Sequence, residues 1–134
     1  SKTLGAMYAG TAYQDLMGEI YSDLQESIEI AKSAGIRDRD IILDPGIGFG
    51  KTVDQNLSII HHLGDLRKMG YPILLGASRK SFIGYTLDLP PEERLEGTAA
   101  AVALGINNGA DIIRVHDVGV MARVAKMCDA IVRS

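Results

Sequence analysis

Between positions 13 and 34 the apolar residues Leu16, Ile20, Leu24, Ile28 and Ala31 recur every three or four residues and stop before Gly35. That spacing predicts an amphipathic helix whose apolar stripe covers a sheet. The pattern then changes. Ile41-Ile42-Leu43 is a short apolar run that ends abruptly in Asp44-Pro45-Gly46, as expected of a buried strand that delivers a carboxylate to its C-terminal edge. A second helix is predicted from about Asp54 or Asn56 to Met69, closed by Gly70, with Leu57, Ile59, Ile60, Leu63 and Leu66 turned inward. Ile73-Leu74-Leu75-Gly76 repeats the strand, followed by polar Ala77-Ser78-Arg79-Lys80-Ser81 and a short apolar turn, Phe82-Ile83-Gly84. Pro90-Pro91-Glu92-Glu93 signals a further helix that runs through Ala99, Ala100, Ala101 and Ala103 to about Asn107. Asp111 to His116 reads as a third strand. Asp117 is the expected cap of a last helix reaching about Arg133 through Val120, Val124, Met127, Cys128 and Ile131. Ser1 to Thr11 carries no period and reads as a lead-in or loop.

Strand and helix alternate to the end, which implies an α/β fold with a parallel sheet, either open and doubly wound or part of a closed (β/α)8 barrel. A complete barrel takes about 250 residues, and three parallel strands alone would expose edges and an apolar face. With 134 residues the chain therefore reads as a fragment.

Composition narrows the function classes. With 46% hydrophobic and 23% charged residues the chain is globular in type. A net charge of -3 and no basic stripe argue against nucleic acid as a partner. The longest apolar runs fall far short of the roughly 18 residues of a membrane span, and no basic-then-apolar leader opens the sequence, so a cytoplasmic location is expected. The single cysteine, Cys128, lies in a helical pattern and reads as packing.

Each predicted strand ends in groups that chemistry uses: Asp44 after the first, Ser78, Arg79, Lys80 and Ser81 after the second, Arg114 and His116 on the third. In a parallel sheet these ends share one rim. An acid, a lysine and an Arg-His pair would supply an acceptor for N–H donors at one end and an anion pocket at the other. Each group also has a plainer reading. Asp44 before Pro45-Gly46 could stabilise a turn, Arg79-Lys80 could be solvated charge, and Arg114 could pair with Asp111 or Asp117. Gly50-Lys51-Thr52 looks like the end of a phosphate-binding loop, but Pro45 stands where that motif needs its first glycine. His61 and His62 are adjacent on a helix and expected to point apart, which disfavours a metal there.

Leu43-Asp44-Pro45-Gly46-Ile47-Gly48-Phe49, Leu75-Gly76-Ala77-Ser78-Arg79-Lys80-Ser81 and Arg114-Val115-His116-Asp117-Val118 resemble, in order and spacing, three blocks of the dihydropteroate synthase family. The resemblance runs from about Tyr13 to the C-terminus. It implies the C-terminal half of a (β/α)8 TIM barrel, with residues 1–134 forming one partial pterin-binding domain that holds about strands six to eight. It also implies a transferase of folate biosynthesis that joins 6-hydroxymethyl-7,8-dihydropterin pyrophosphate to p-aminobenzoate and releases pyrophosphate, with sulfonamides competing for the aminobenzoate place. By the same resemblance Asp44 accepts hydrogen bonds from the pterin, Gly76 lies beside its ring, and Lys80 reaches the ring oxygen and nitrogen. Phe49 and Ser81 flank the aminobenzoate, and Arg114 and His116 hold the pyrophosphate. Lys80, Arg114 and His116 are the implied catalytic groups, a magnesium ion is the implied cofactor, and a homodimer through late helices is the implied assembly.

The departures are specific. The family's first-strand loop with its metal-side Asn, and the Asp and Asn of its middle strands, have no counterpart here, and Ser1 to Gly10 lacks the expected Met-His-Asn block. The magnesium ligand is accordingly expected in a missing N-terminal half that was lost or is supplied by another polypeptide, and the chain alone is expected to be inactive. Two rival readings remain: a pterin-binding methyltransferase on the same barrel, which has no need of Arg114 and His116 for pyrophosphate, and a half-barrel that only binds or assembles.

Overall fold

A computed structural model describes residues 9–133. Its first element, helix α1 (Ala9–Ser33), starts before the predicted position, so Ala9 to Thr11 are helical, while the earlier part of the expected lead-in lies outside the described residues. Leu16, Ile20 and Ile28 are buried as the period requires, joined by Met17. The helix stops as its glycine demands: Gly35 takes φ +90, and the N–H of Ile36 returns to the carbonyl of Ala31.

Three segments lie side by side and parallel. Strands β1 (Leu74–Leu75) and β2 (Ile112–Ile113) pair with Leu74 opposite Ile112 and Leu75 opposite Ile113. Leu43 joins the other edge of β1 through a single parallel bridge to Ile73, closed by Leu43 N–H to Pro72 O and Leu74 N–H to Leu43 O. The strand expected over Ile41 to Asp44 is thus reduced to one bridged residue, and it is not buried on both faces. Leu43 is buried whereas Ile42 is 52% exposed, because the described helices cover only one side of these segments.

On that covered side Ile73, Leu75 and Ala77 meet Leu16, Met17 and Ile20 of α1, Ile59 and Ile60 of α2 (Val53–His61), and Phe82 and Ile83 of α3 (Ser81–Leu87). Side chains buried as fully as Ile59, Leu63 and Ile73 each stabilise the fold by about 1.5–3 kcal/mol. A smaller cluster joins Val102 and Ile106 of α4 (Leu95–Asn107) to Met121 of α5 (Val118–Val132). Gly105 of α4 faces the main cluster instead, where a Cβ on it would collide with Leu75.

Several expectations are corrected. The helix forecast to Met69 divides after His61 into a 3-10 turn, Leu63–Met69, capped by left-handed Gly70. Asn108 Nδ2 donates to the carbonyls of Ile60 and His61 at 3.0 and 3.3 Å, the acceptors a continuing α-helix would use. The same break lets the His61 and His62 rings meet edge-on at 4.5 Å between centroids instead of pointing apart. Phe82-Ile83-Gly84 is helical, Pro91–Glu93 is a 3-10 turn ahead of α4, and Leu57, Met127 and Ile131 face outward. Asp117 sits at the N-cap of α5 without a side-chain capping bond, its carboxylate being engaged elsewhere. No described helix is long and apolar enough to cross a membrane.

Candidate functional site

Asp44 follows directly on the bridged Leu43, and its two oxygens have different partners. Oδ1 accepts from the N–H of Gly46 at 2.9 Å, the turn-stabilising role that Asp-Pro-Gly suggests. Oδ2 lies 3.6 Å from Arg114 Nη1. Arg114 reaches it from the far edge of the sheet. Continuing the β1–β2 register by one residue sets Arg114 opposite Gly76, and a Cβ on Gly76 would collide with the guanidinium. The glycine that the family resemblance places beside a pterin ring is thus also the residue over which Arg114 lies. Both partners of this ion pair are well exposed, so it is worth about 0–1 kcal/mol and a ligand can take it over at small cost.

Lys80 lies between the acid and the glycine loop. Its Nζ donates to Ile47 O at 2.5 Å and sits 4.8 Å from the centroid of the Phe49 ring, within cation–π range. Burial and the nearby positive charge of Arg114 push the lysine below its ordinary value of 10.5, with Asp44 opposing the shift. The three charged groups therefore feel one another across a single site. Gly46 and Gly48 take φ of +79 and +88, conformations that favour glycine. A Cβ on Gly48 would lie 2.9 Å from Lys80 Cδ. Phe49 is 67% exposed, which leaves its ring open to a ligand.

The loop carrying Lys80 is held from outside. Arg79 has φ +55, unusual for a residue with a Cβ, and each of its polar groups is tied. Its N–H donates to Thr98 Oγ1 at 3.0 Å, its carbonyl accepts from Arg94 Nη1 at 3.0 Å, and its guanidinium donates to both oxygens of Asp117 at 3.2 and 2.7 Å. Pairing keeps the Asp117 carboxyl below its usual range and the Arg79 guanidinium above its own. Arg79 thus supports the loop and is not an open charge for a ligand. Ser81 opens α3 beside Lys80 and is exposed. Arg114 and His116 stand two apart just past the end of β2 and are both exposed, and His116 Nδ1 is 2.8 Å from Ser78 Oγ.

Sequence reasoning missed three supports, Arg94 on the Arg79 carbonyl and two buried polar side chains. Thr98, fully buried on α4, holds Arg79; nothing in an alanine-rich helix marks it. Asn56, buried on α2, accepts the Gly48 N–H through Oδ1 at 2.8 Å, and an amide on an inward-facing helix position is the signal that could have found it. Among the described residues no three His, Cys, Asp or Glu side chains gather as a metal site. Magnesium takes hard oxygen ligands, and the oxygens of Asp44 face Arg114 and Gly46. The donor set here does not fit that ion.

A family model described as "Pterin binding enzyme" matches residues 2–116. The chain is similar to a dihydropteroate synthase of Bacillus subtilis, 58% identical over 118 residues that make up 88% of this chain and 41% of that protein. It is likewise similar to one of Clostridium beijerinckii, 57% identical over 124 residues, 92% of this chain and 46% of that protein. Among solved structures, a dihydropteroate synthase from Clostridium difficile in the presence of pteroic acid superposes with a TM-score of 0.87 at 50% identity, over 89% of this chain and 45% of that one. One from Coxiella burnetii in complex with pteroic acid gives 0.89 at 40% identity, over 93% and 48%. The chain spans less than half the length of these relatives, and its architecture is that of part of a (β/α)8 barrel.

Proposed function

Because the chain belongs to the pterin binding enzyme family, we propose that the full-length protein carrying it is a dihydropteroate synthase, a transferase of folate biosynthesis. It joins 6-hydroxymethyl-7,8-dihydropterin pyrophosphate to p-aminobenzoate. The observation that carries this reading is the convergence of Asp44, Lys80 and Arg114 on one site, an acid and two cations, with a lysine already destabilised as an ammonium.

Asp44 serves the amine-rich edge of the pterin, since an ionised carboxylate accepts two parallel N–H bonds. To do so it exchanges the loosely held Arg114. The released guanidinium, with His116 beside it, then faces the pyrophosphate. Charge grows on the leaving oxygen as the C–O bond of the pterin methylene breaks, and preplaced donors lower that barrier. The arylamine attacks the electron-deficient carbon, so no nucleophilic side chain is needed. Lys80 donates to the pterin ring, and the exposed Phe49 ring and Ser81 flank the aminobenzoate, where sulfonamides would compete. For magnesium we place the ligands outside the described residues, and no step here depends on it. The apolar cleft of about 530 Å³ between α2, α3 and α4, lined by Leu57, Phe82, Leu87 and Leu104, is our candidate surface for a homodimer. A cytoplasmic location is part of the same proposal.

Calorimetry on the full-length protein tests the assignment. Arg114→Ala is expected to weaken binding of the pterin pyrophosphate by roughly 10- to 100-fold, the loss of about 1.5–3 kcal/mol from a charged hydrogen bond. Binding of a pterin without phosphates should be little changed. Asp44→Asn should weaken both. Equal effects of Arg114→Ala on the two ligands would favour a methyltransferase-type pterin site instead.

A further inference from the structure

Ser78 is only 5% exposed and is bonded twice to one residue. Its Oγ is 3.1 Å from the backbone nitrogen of His116 and 2.8 Å from the Nδ1 of the same residue. The first bond has a fixed direction, because a backbone N–H can only donate. The hydroxyl is then an acceptor there, and its one hydrogen remains to be placed. If Nδ1 carried a proton, Oγ would accept two N–H groups and the buried hydroxyl hydrogen would have no other acceptor among the described residues. If Nδ1 is bare, the hydroxyl donates to it and every polar atom is satisfied, as buried groups require.

We propose that Ser78 is a positioning residue that holds His116 as the neutral imidazole with its proton on Nε2, so that the ring offers an N–H to an anionic oxygen beside Arg114. The proposal rests on reading Arg114 and His116 as the anion end of the site. It adds to that reading a defined donor atom and the residue that defines it. The donor acts without a charged imidazole, so the leaving oxyanion meets one permanent cation, Arg114, and one oriented neutral donor. Ser78 also locks ring rotation, since both of its bonds go to the same histidine. It stands two residues before Lys80, so the loop that brings the lysine also sets the histidine.

The test is the tautomer itself, read by nitrogen NMR of the full-length protein labelled at histidine, in alkaline buffer. His62 is an internal reference of the opposite kind. Its Nδ1 lies 3.0 Å from the carbonyl of Ser58, which can only accept, so that ring carries its proton on Nδ1. His116, assigned by loss of its signals in His116→Gln, is expected to show Nε2–H in the wild type, a mixture of tautomers in Ser78→Ala, and Nε2–H again in Ser78→Thr. Turnover in Ser78→Ala should fall several-fold with KM for p-aminobenzoate unchanged, and Ser78→Thr should restore it. An Nδ1–H signal for His116 in the wild type overturns the proposal even if Ser78→Ala does not fold, as does an unchanged tautomer in a folded Ser78→Ala. A normal phosphate dependence of the Arg114→Ala effect alongside such a result would leave the synthase reading standing and remove only the role of Ser78.

Discussion

The two loops that meet at Lys80 are built in opposite ways. The segment from Asp44 to Lys51 is held mainly from within: Asp44 caps its own turn, Phe49 N–H returns to Gly46 O, and Lys51 Nζ reaches Phe49 O. Its glycines take left-handed conformations, its aromatic ring is exposed, and two side chains outside it, Asn56 at Gly48 and Lys80 at Ile47, bond its backbone. The segment from Ala77 to Lys80 begins in buried residues and is tied by Arg94 and Thr98 to the start of α4 and by His116 and Asp117 to the link before α5. In the first, Ile47 is buried in the main core, so only the exposed part from Gly48 to Gly50 is left to adjust to a ligand. The second holds one strained residue, Arg79, in place so that Lys80 projects in a defined direction. Lys80 touches both, resting on Ile47 and Phe49 of the adjustable loop.

This contrast can be broken, and the largest effect is expected on the anchored side. Thr98→Val keeps the shape of the side chain but strands the Arg79 N–H in the interior, an expected loss of about 1–3 kcal/mol, seen as a lower urea midpoint and as weaker ligand binding. On the adjustable side Gly48→Ala forces a Cβ into left-handed backbone and against Lys80. The expected cost is about 1–2 kcal/mol, with the lysine displaced and aminobenzoate binding reduced. If Gly48→Ala proves the more damaging of the two, the assignment of anchor and adjustable flap is reversed.

The smallest effect is on pH dependence. The folded state binds the Lys80 proton less firmly than the unfolded chain, so this group adds stability as pH rises toward 10.5. A ligand that accepts a hydrogen bond from the ammonium needs the charged form, so affinity should decline over the same window, beginning below 10.5. Calorimetry at stepped alkaline pH should show that decline in the wild type and a flatter profile in Lys80→Gln. Equal slopes would remove Lys80 from the ligand's contacts.

The helices were legible because burial on one face imposes a period. The stripe of Leu16, Ile20 and Ile28, and the stops at Gly35 and Gly70, follow from local geometry alone. The strand ends were legible for a similar reason, since apolar runs that break into polar residues mark the rim of a parallel sheet. Period alone failed where a distant group intervened. Asn108 ended α2 early by taking its carbonyls, and because the described helices cover only one side, Ile42 is exposed in a run that reads as buried.

By itself the sequence determined the alternation of strand and helix, the identity of the groups on the rim, and the family. Pairing was decided only by the tertiary structure. Arg114 could have paired with Asp111 or Asp117, and both are neighbours in the chain; in the fold Asp111 serves Arg67 and Arg133, Asp117 serves Arg79, and Arg114 crosses to Asp44 over the space left by Gly76. Charges choose partners by distance in space, and that distance is set by strand register, which a list of residues does not contain.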